Sequence, residues 1–211
     1  MMPKENKELN YLYVVFVSTN TTMGKGIRLF TRNKYSHVTI AFERDLRAMY
    51  SFARYHINSP IYGGFVVEHP GRYLHGDQDV LVKICEVPVE QTEYERIRQE
   101  IEFFQKNREV MIYNTINALL SLLGKRLDAK DMYTCLEFVT HLLGYPRMNT
   151  IRELERRLSE HVIYTGSLRD TAEWQQEQIG EDDFFRRRRA IGIAHDTVYH
   201  FRKVVQRVLH A

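Results

Sequence analysis

The apolar pattern of this chain changes period near Pro88, and that change limits the folds open to it. Up to Val87 the apolar residues come in short β-branched and aromatic runs: Tyr11 to Ser18, Lys34 to Phe42, Leu46 to Arg54, Phe65 to Glu68 and Val80 to Val87. Turn-forming stretches separate them, among them Glu43-Arg44-Asp45, the Gly63-Gly64 pair and His69-Pro70-Gly71. Such runs read as strands, the last of them stopped by Pro88. From Glu90 the spacing becomes helical, with Tyr94, Ile97, Ile101 and Phe104 on one face. Ile112 to Leu123 reads as a second apolar helix ending at Gly124. Leu136, Phe138, Val139, Leu142 and Leu143 repeat the helical spacing, and Gly144-Tyr145-Pro146 stops it. Thr150 and Glu153 predict a capped start for one more helix. Strands first and helices afterwards predict an α+β fold, a small antiparallel sheet packed against helices. With 211 residues and 44% hydrophobic content, one well-cored domain over 1–211 is expected. No internal repeat interrupts it.

Two residues in this frame carry nucleophilic chemistry. Cys135 stands in Tyr133-Thr134-Cys135-Leu136-Glu137-Phe138-Val139, where a loop gives way to a helix. A cysteine in a first helical turn meets the positive end of the helix dipole and unpaired backbone N–H groups. Both favour the thiolate, which is the nucleophile. His37 opens the strand His37-Val38-Thr39-Ile40-Ala41-Phe42. From the end of a strand its imidazole can reach a helix start and take the thiol proton. Cys85, inside a strand pattern, reads as a packed residue.

These segments resemble a known family. Ser36-His37-Val38-x-Ile40, followed much later by Tyr133-Thr134-Cys135-x-Glu137-Phe138-Val139, is similar to the circularly permuted branch of the NlpC-type papain-like thiol hydrolases. That branch includes the YiiX-like proteins and the lecithin retinol acyltransferase group. In it the histidine strand precedes the cysteine helix, as here. Further similar pieces are the opening strand, Met23-Gly24-Lys25-Gly26-Ile27-Arg28-Leu29-Phe30-Thr31 and Ile163-Tyr164-Thr165-Gly166-Ser167-Leu168. The resemblance covers about residues 11 to 170 and leaves 171–211 as a helical C-terminal extension. It implies Cys135 as nucleophile, His37 as base and a polar residue on the next strand that orients the imidazole. A three-residue turn sets Ser51 opposite His37, whereas a two-residue turn makes Tyr50 the near polar neighbour. The position at which some relatives carry Glu or His falls near Met49, which cannot orient a histidine.

Other features narrow the function further. Two cysteines form no disulfide framework. His69 and His75 flank a glycine turn without a second ligand cluster, so no metal site is predicted, and no cofactor motif is present. The polar N-terminus lacks a targeting pattern and no stretch approaches a membrane span, which predicts a cytoplasmic protein. At the other end, Arg186-Arg187-Arg188-Arg189 precedes Ile191, Ala194, Val198, Phe201, Val204, Val205 and Leu209, an amphipathic pattern with basic residues. Such a helix packs as a terminal element, lies on anionic lipid or meets nucleic-acid phosphates. Acidic neighbours at 181–183 can neutralise the arginines, and the net charge is only +3. Three functions follow: a thiol hydrolase of peptide or peptidoglycan-fragment amides, a lipid-directed acyltransferase or lipase, and a non-catalytic binding module using the basic helix.

Overall fold

The computed structural model describes residues 9–31, 33–74, 79–120, 127, 130–171, 184 and 186–209. Its elements follow in the order β1 (Leu9–Val17), α1 (Thr22–Thr31), β2 (His37–Ala41), β3 (Met49–Arg54), β4 (Gly63–Glu68), β5 (Leu81–Glu90), α2 (Gln91–Lys106), β6 (Ile112–Tyr113), α3 (Thr115–Leu120), β7 (Met132–Tyr133), α4 (Cys135–Leu142), α5 (Ile151–Arg157), β8 (Val162–Ser167) and α6 (Ala190–Leu209). Six strands form one sheet in the order β4-β3-β2-β1-β5-β8, every neighbouring pair antiparallel. The α+β expectation holds at this level.

β1 lies inside the sheet and is covered on both faces, which is why Leu12 to Val17 is an unbroken apolar run rather than an alternating one. Leu12, Val14 and Phe16 face one core with Val38, Ile40, Phe52 and Phe65. α2 and α4 close that core, α2 against β1 and β5 and α4 against β2 and β3. At its centre the ring of Phe52 meets those of Phe65, Phe104, Tyr133 and Phe138 at 5.2–6.0 Å. Tilted and edge-on ring pairs of this kind each add about 0.5–1.5 kcal/mol beyond their buried area. Tyr13, Val15 and Val17 face the other way, into a second cluster with Met49, Tyr73 and Val82.

Three expectations are corrected. Leu46 belongs to the turn and not to the return strand. It adopts φ +56°, and β3 begins only at Met49. Strand pairing does not stop at Pro88. β5 continues to Glu90, with Tyr11 opposite Pro88, while β8 pairs with β5 only from Leu81 to Cys85. Beyond Cys85 that side is an edge, where the missing proline N–H is not needed. Ile112 and Tyr113 are not helical either. They form a short parallel pair with Met132 and Tyr133, and the helix starts at Thr115. The second half of the predicted helix, 121–126, lies outside the described residues.

α6 docks through Val204, which is buried with Ile112 and Met132. Its basic residues are partly used inside the fold. Arg188 grips Asp196 through two bonds of 2.9 and 3.0 Å, Lys203 donates to the Glu109 carbonyl at 2.9 Å, and Arg207 pairs with Asp131. The expected neutralisation by residues 181–183 lies outside the described residues. Among those described, no helix is long and apolar enough to cross a membrane.

Candidate active site

Cys135 is the first residue of α4. Thr134 caps the helix: its hydroxyl accepts from the Glu137 N–H at 3.2 Å, and the Glu137 carboxylate accepts from the Thr134 N–H at 2.6 Å. This reciprocal box satisfies two donors at the helix start. The first helical bond runs from the Phe138 N–H to the Thr134 carbonyl, so the N–H groups of Cys135 and Leu136 stand outside the ladder. Asn117 braces the box, donating to Glu137 Oε1 at 2.7 Å. The β6–β7 pair sets Tyr113 beside Tyr133, two residues before the cysteine.

His37 opens β2, opposite Val17 of β1. The Cys135 sulfur lies close enough to the His37 ring to raise the imidazole pKa. Nε2 lies 3.0 Å from Glu68 Oε2 and 3.2 Å from Ser51 Oγ, which leaves Nδ1 as the nitrogen for the thiol. The sequence-predicted residues Cys135, His37 and Ser51 are therefore brought together. Ser51 arrives by neither predicted register. Ile40 pairs with Tyr50 and Ala41 with Met49, a slip of two residues from the pairing that sets Ser51 opposite His37. A two-residue slip preserves the face, so Ser51 still reaches the ring. Tyr50 points to the opposite core, where its ring packs on Phe42. Ser51 Oγ also lies 3.4 Å from the Val38 carbonyl and 3.3 Å from that of Phe52.

Glu68 joins the site beyond the residues that the sequence predicts. The resemblance places the orienting residue on β3, where Met49 stands. The carboxylate comes instead from β4, where Glu68 pairs with Met49 and is completely buried. The available signal was an acid closing an otherwise apolar strand, since a buried carboxylate requires a partner. Tyr73 donates to Glu68 Oε2 at 2.6 Å, and Arg72 Nε lies 3.1 Å from Oε1. Both follow Glu68 closely, because the 3-10 turn Pro70–Arg72 folds the chain back.

The charges are coupled. Burial lowers the His37 pKa, but the Glu68 carboxylate and the Cys135 sulfur outweigh it, and the value rises to about 10. Burial raises that of Glu68, but His37, Arg72 and Tyr73 pull it below the usual carboxylate range. The pair is an imidazolium and a carboxylate at neutral pH. Tyr113, close to Cys135, has its phenol pKa raised by burial and then by the neighbouring sulfur, so it stays a neutral hydrogen-bond donor. Cys85 is different: it is fully buried in the core, and burial pushes its thiol up to about 11.

A cavity of about 450 Å³ opens beside this group, with His37, Glu68, Tyr113, Arg54 and Arg187 in its lining. Thr19, Ser36 and Gly24 also line it. The Ser36 hydroxyl bonds the Thr19 N–H at 3.1 Å and the Thr19 hydroxyl at 2.9 Å. A Cβ on Gly24 would overlap Thr19, so a glycine is required where α1 meets this corner. Among the described residues no cluster of His, Cys, Asp or Glu could hold a metal. His75 lies outside them.

No family model, curated protein or solved structure matches this chain. The reading of the site therefore rests on its geometry and chemistry.

Proposed function

We propose that this chain is a cysteine-dependent hydrolase of amide bonds, with a permuted papain-like order of site residues. The observation that carries the reading is the relay Cys135–His37–Glu68, in which His37 takes the Cys135 thiol proton and a buried carboxylate holds the resulting imidazolium beside the sulfur at a helix start. Cys135 Sγ attacks the carbonyl carbon and forms a C–S bond, while the carbonyl electrons move onto oxygen. The Cys135 backbone N–H, with the Tyr113 hydroxyl, receives that oxyanion. His37 donates its proton to the leaving nitrogen as the C–N bond breaks, then takes a proton from the water that cleaves the thioester. Glu68 keeps the ring oriented and charged, and Ser51 supports the same nitrogen. Peptide or peptidoglycan-fragment amides suit this chemistry.

Cys135→Ala tests it. Amide hydrolysis measured on a peptide library is expected to fall by about 10³-fold or more, and trapping with a thiol alkylator should label Cys135 before Cys85. Hydrolysis unchanged in Cys135→Ala would remove the reading.

A second reading, acyl transfer from a lipid ester on the same dyad, is favoured by the exposed Ile191, Phe201 and Leu209 of α6. Salt-sensitive co-sedimentation with anionic vesicles would support it, and no binding would remove its main support. A non-catalytic module that binds nucleic acid through α6 predicts an inert Cys135 instead.

A further inference from the structure

Arg54 stands at the last position of β3, three residues beyond Ser51, and its side chain lines the same cavity as His37. Nη1 donates to the carbonyls of Ile57 and Ser59 at 3.2 and 3.0 Å. Both hydrogens of that nitrogen are thereby used. Nε and Nη2, the edge that presents two parallel N–H groups, have no partner among the described residues. A guanidinium edge of this kind fits the two oxygens of a carboxylate or phosphate.

Among the described residues the charge is also uncompensated. Burial draws the Arg54 pKa downward, the Tyr113 phenol opposes it, and the neighbouring Arg72 adds to the downward pull. Among the described residues, no carboxylate is one of its neighbours. Arg72 is committed to Glu68 and to the ring of Phe184, 4.2 Å away. Glu68 is in turn committed to His37, Arg72 and Tyr73. Arg187 lines the same cavity and has no carboxylate partner among the described residues. Its position is fixed by the next residue, since Asn58 exchanges two bonds with the Arg188 backbone at 2.9 and 3.2 Å. A partly buried cation with one edge open and no counter-charge is costly unless a ligand supplies the anion.

We infer that the cavity receives an oxyanion of the substrate on the Nε–Nη2 edge of Arg54, with Arg187 adding a second positive charge. The inference rests on the hydrolase reading and narrows its substrates to acyl compounds with an acidic group close to the scissile bond. Carboxylate and phosphate share the required geometry.

The test is equilibrium binding to the full chain, followed by ligand-observed NMR. The probes are N-acetylglycine, its neutral amide and N-acetyl-O-phosphoethanolamine. The anions are expected to bind about tenfold tighter than the amide, the scale of one charge-assisted bidentate contact. Arg54→Gln should erase that preference, Arg54→Lys should keep only part of it, and Arg187→Gln should reduce it. Tighter binding of N-acetylglycine assigns a carboxylate-bearing substrate, and tighter binding of the phosphate ester a phosphorylated one. Equal binding of all three probes overturns the inference, as does a preference that survives in Arg54→Gln. Should Arg54→Gln unfold, the lysine variant and Arg187→Gln decide the matter. Binding does not depend on the thiol, so an anion site with an inert Cys135 would sink the hydrolase reading alone. A reactive Cys135 without anion preference would sink this inference alone.

Discussion

His37 is held by groups of unequal strength, and the difference is measurable. Glu68 brings a buried negative charge to Nε2, whereas Ser51 brings a hydroxyl that also has two carbonyls within reach. The His37 pKa lies above its ordinary 6.5, at about 10. Its share of stability is therefore complete below about pH 6.5 and lost as pH climbs to about 10. The Glu68 pKa lies below its ordinary 4.5, so its share is complete above about pH 4.5 and lost only in stronger acid. The pair stabilises most between these two limits. Glu68→Gln removes the anion and leaves Arg72 and His37 buried without it, at a cost of about 3 kcal/mol or more. The thermal midpoint of the wild type is expected to fall between pH 6.5 and 10, and that of Glu68→Gln to change much less. In the proposed hydrolase, leaving-group protonation by His37 would set the alkaline limb of amide hydrolysis. Without Glu68 the ring loses its proton at lower pH, so the limb should move acidward in Glu68→Gln and stay in place in Ser51→Ala. A larger move in Ser51→Ala would transfer the orienting role from the carboxylate to the hydroxyl.

At the scale of elements, the helix start sets the surroundings of Cys135 apart from those of Cys85. Thr134 and Glu137 cap each other, and Asn117 ties Glu137 to α3. Thr134→Ala should lower stability by about 1 kcal/mol, the usual value of an N-cap, yet reduce turnover by more than tenfold, because the N–H of Cys135 loses its fixed direction. Thr134→Ser, which keeps the cap, should restore both. A parallel loss of stability and activity with no excess in turnover would make the cap merely structural. The strand of His37 and the face of α2 were legible in the sequence, because each depends on spacing within one element. The carboxylate was not legible, because it depends on register across three strands. The length of the β2–β3 turn could not be read from Glu43-Arg44-Asp45, since Leu46 extends it through a positive φ. The spacing predicts helix at β6 for a related reason: two apolar residues before Asn114 carry no period of their own, and pairing with Met132 and Tyr133 decides their conformation. Arg54 and Tyr113 enter the site through the same long-range pairings.

For the whole molecule, the question is whether α6 braces the site or serves a surface of its own. Its inner side argues for bracing. His200 donates from Nε2 to the Tyr113 carbonyl at 3.2 Å, and Val204 fills the space behind Ile112 and Met132. Arg207 pairs with Asp131, the residue that accepts from the Ile112 N–H through its carbonyl. The helix thus holds both strands of the β6–β7 pair, one carrying Tyr113 and the other leading into Cys135. A two-stranded pair of two residues each has little stability alone, so its geometry depends on this backing. Val204→Asp places a charge where the side chain is 2% exposed and should cost about 3 kcal/mol. Amide hydrolysis should fall with it even at temperatures where the rest of the fold persists, because Tyr113 and Cys135 lose their relative position. Phe201 is 61% exposed on the outer side, and Phe201→Ser should leave stability within about 0.5 kcal/mol and hydrolysis unchanged. If hydrolysis survives Val204→Asp while Phe201→Ser abolishes it, the outer apolar side of α6 serves catalysis directly, as a lipid-facing surface would.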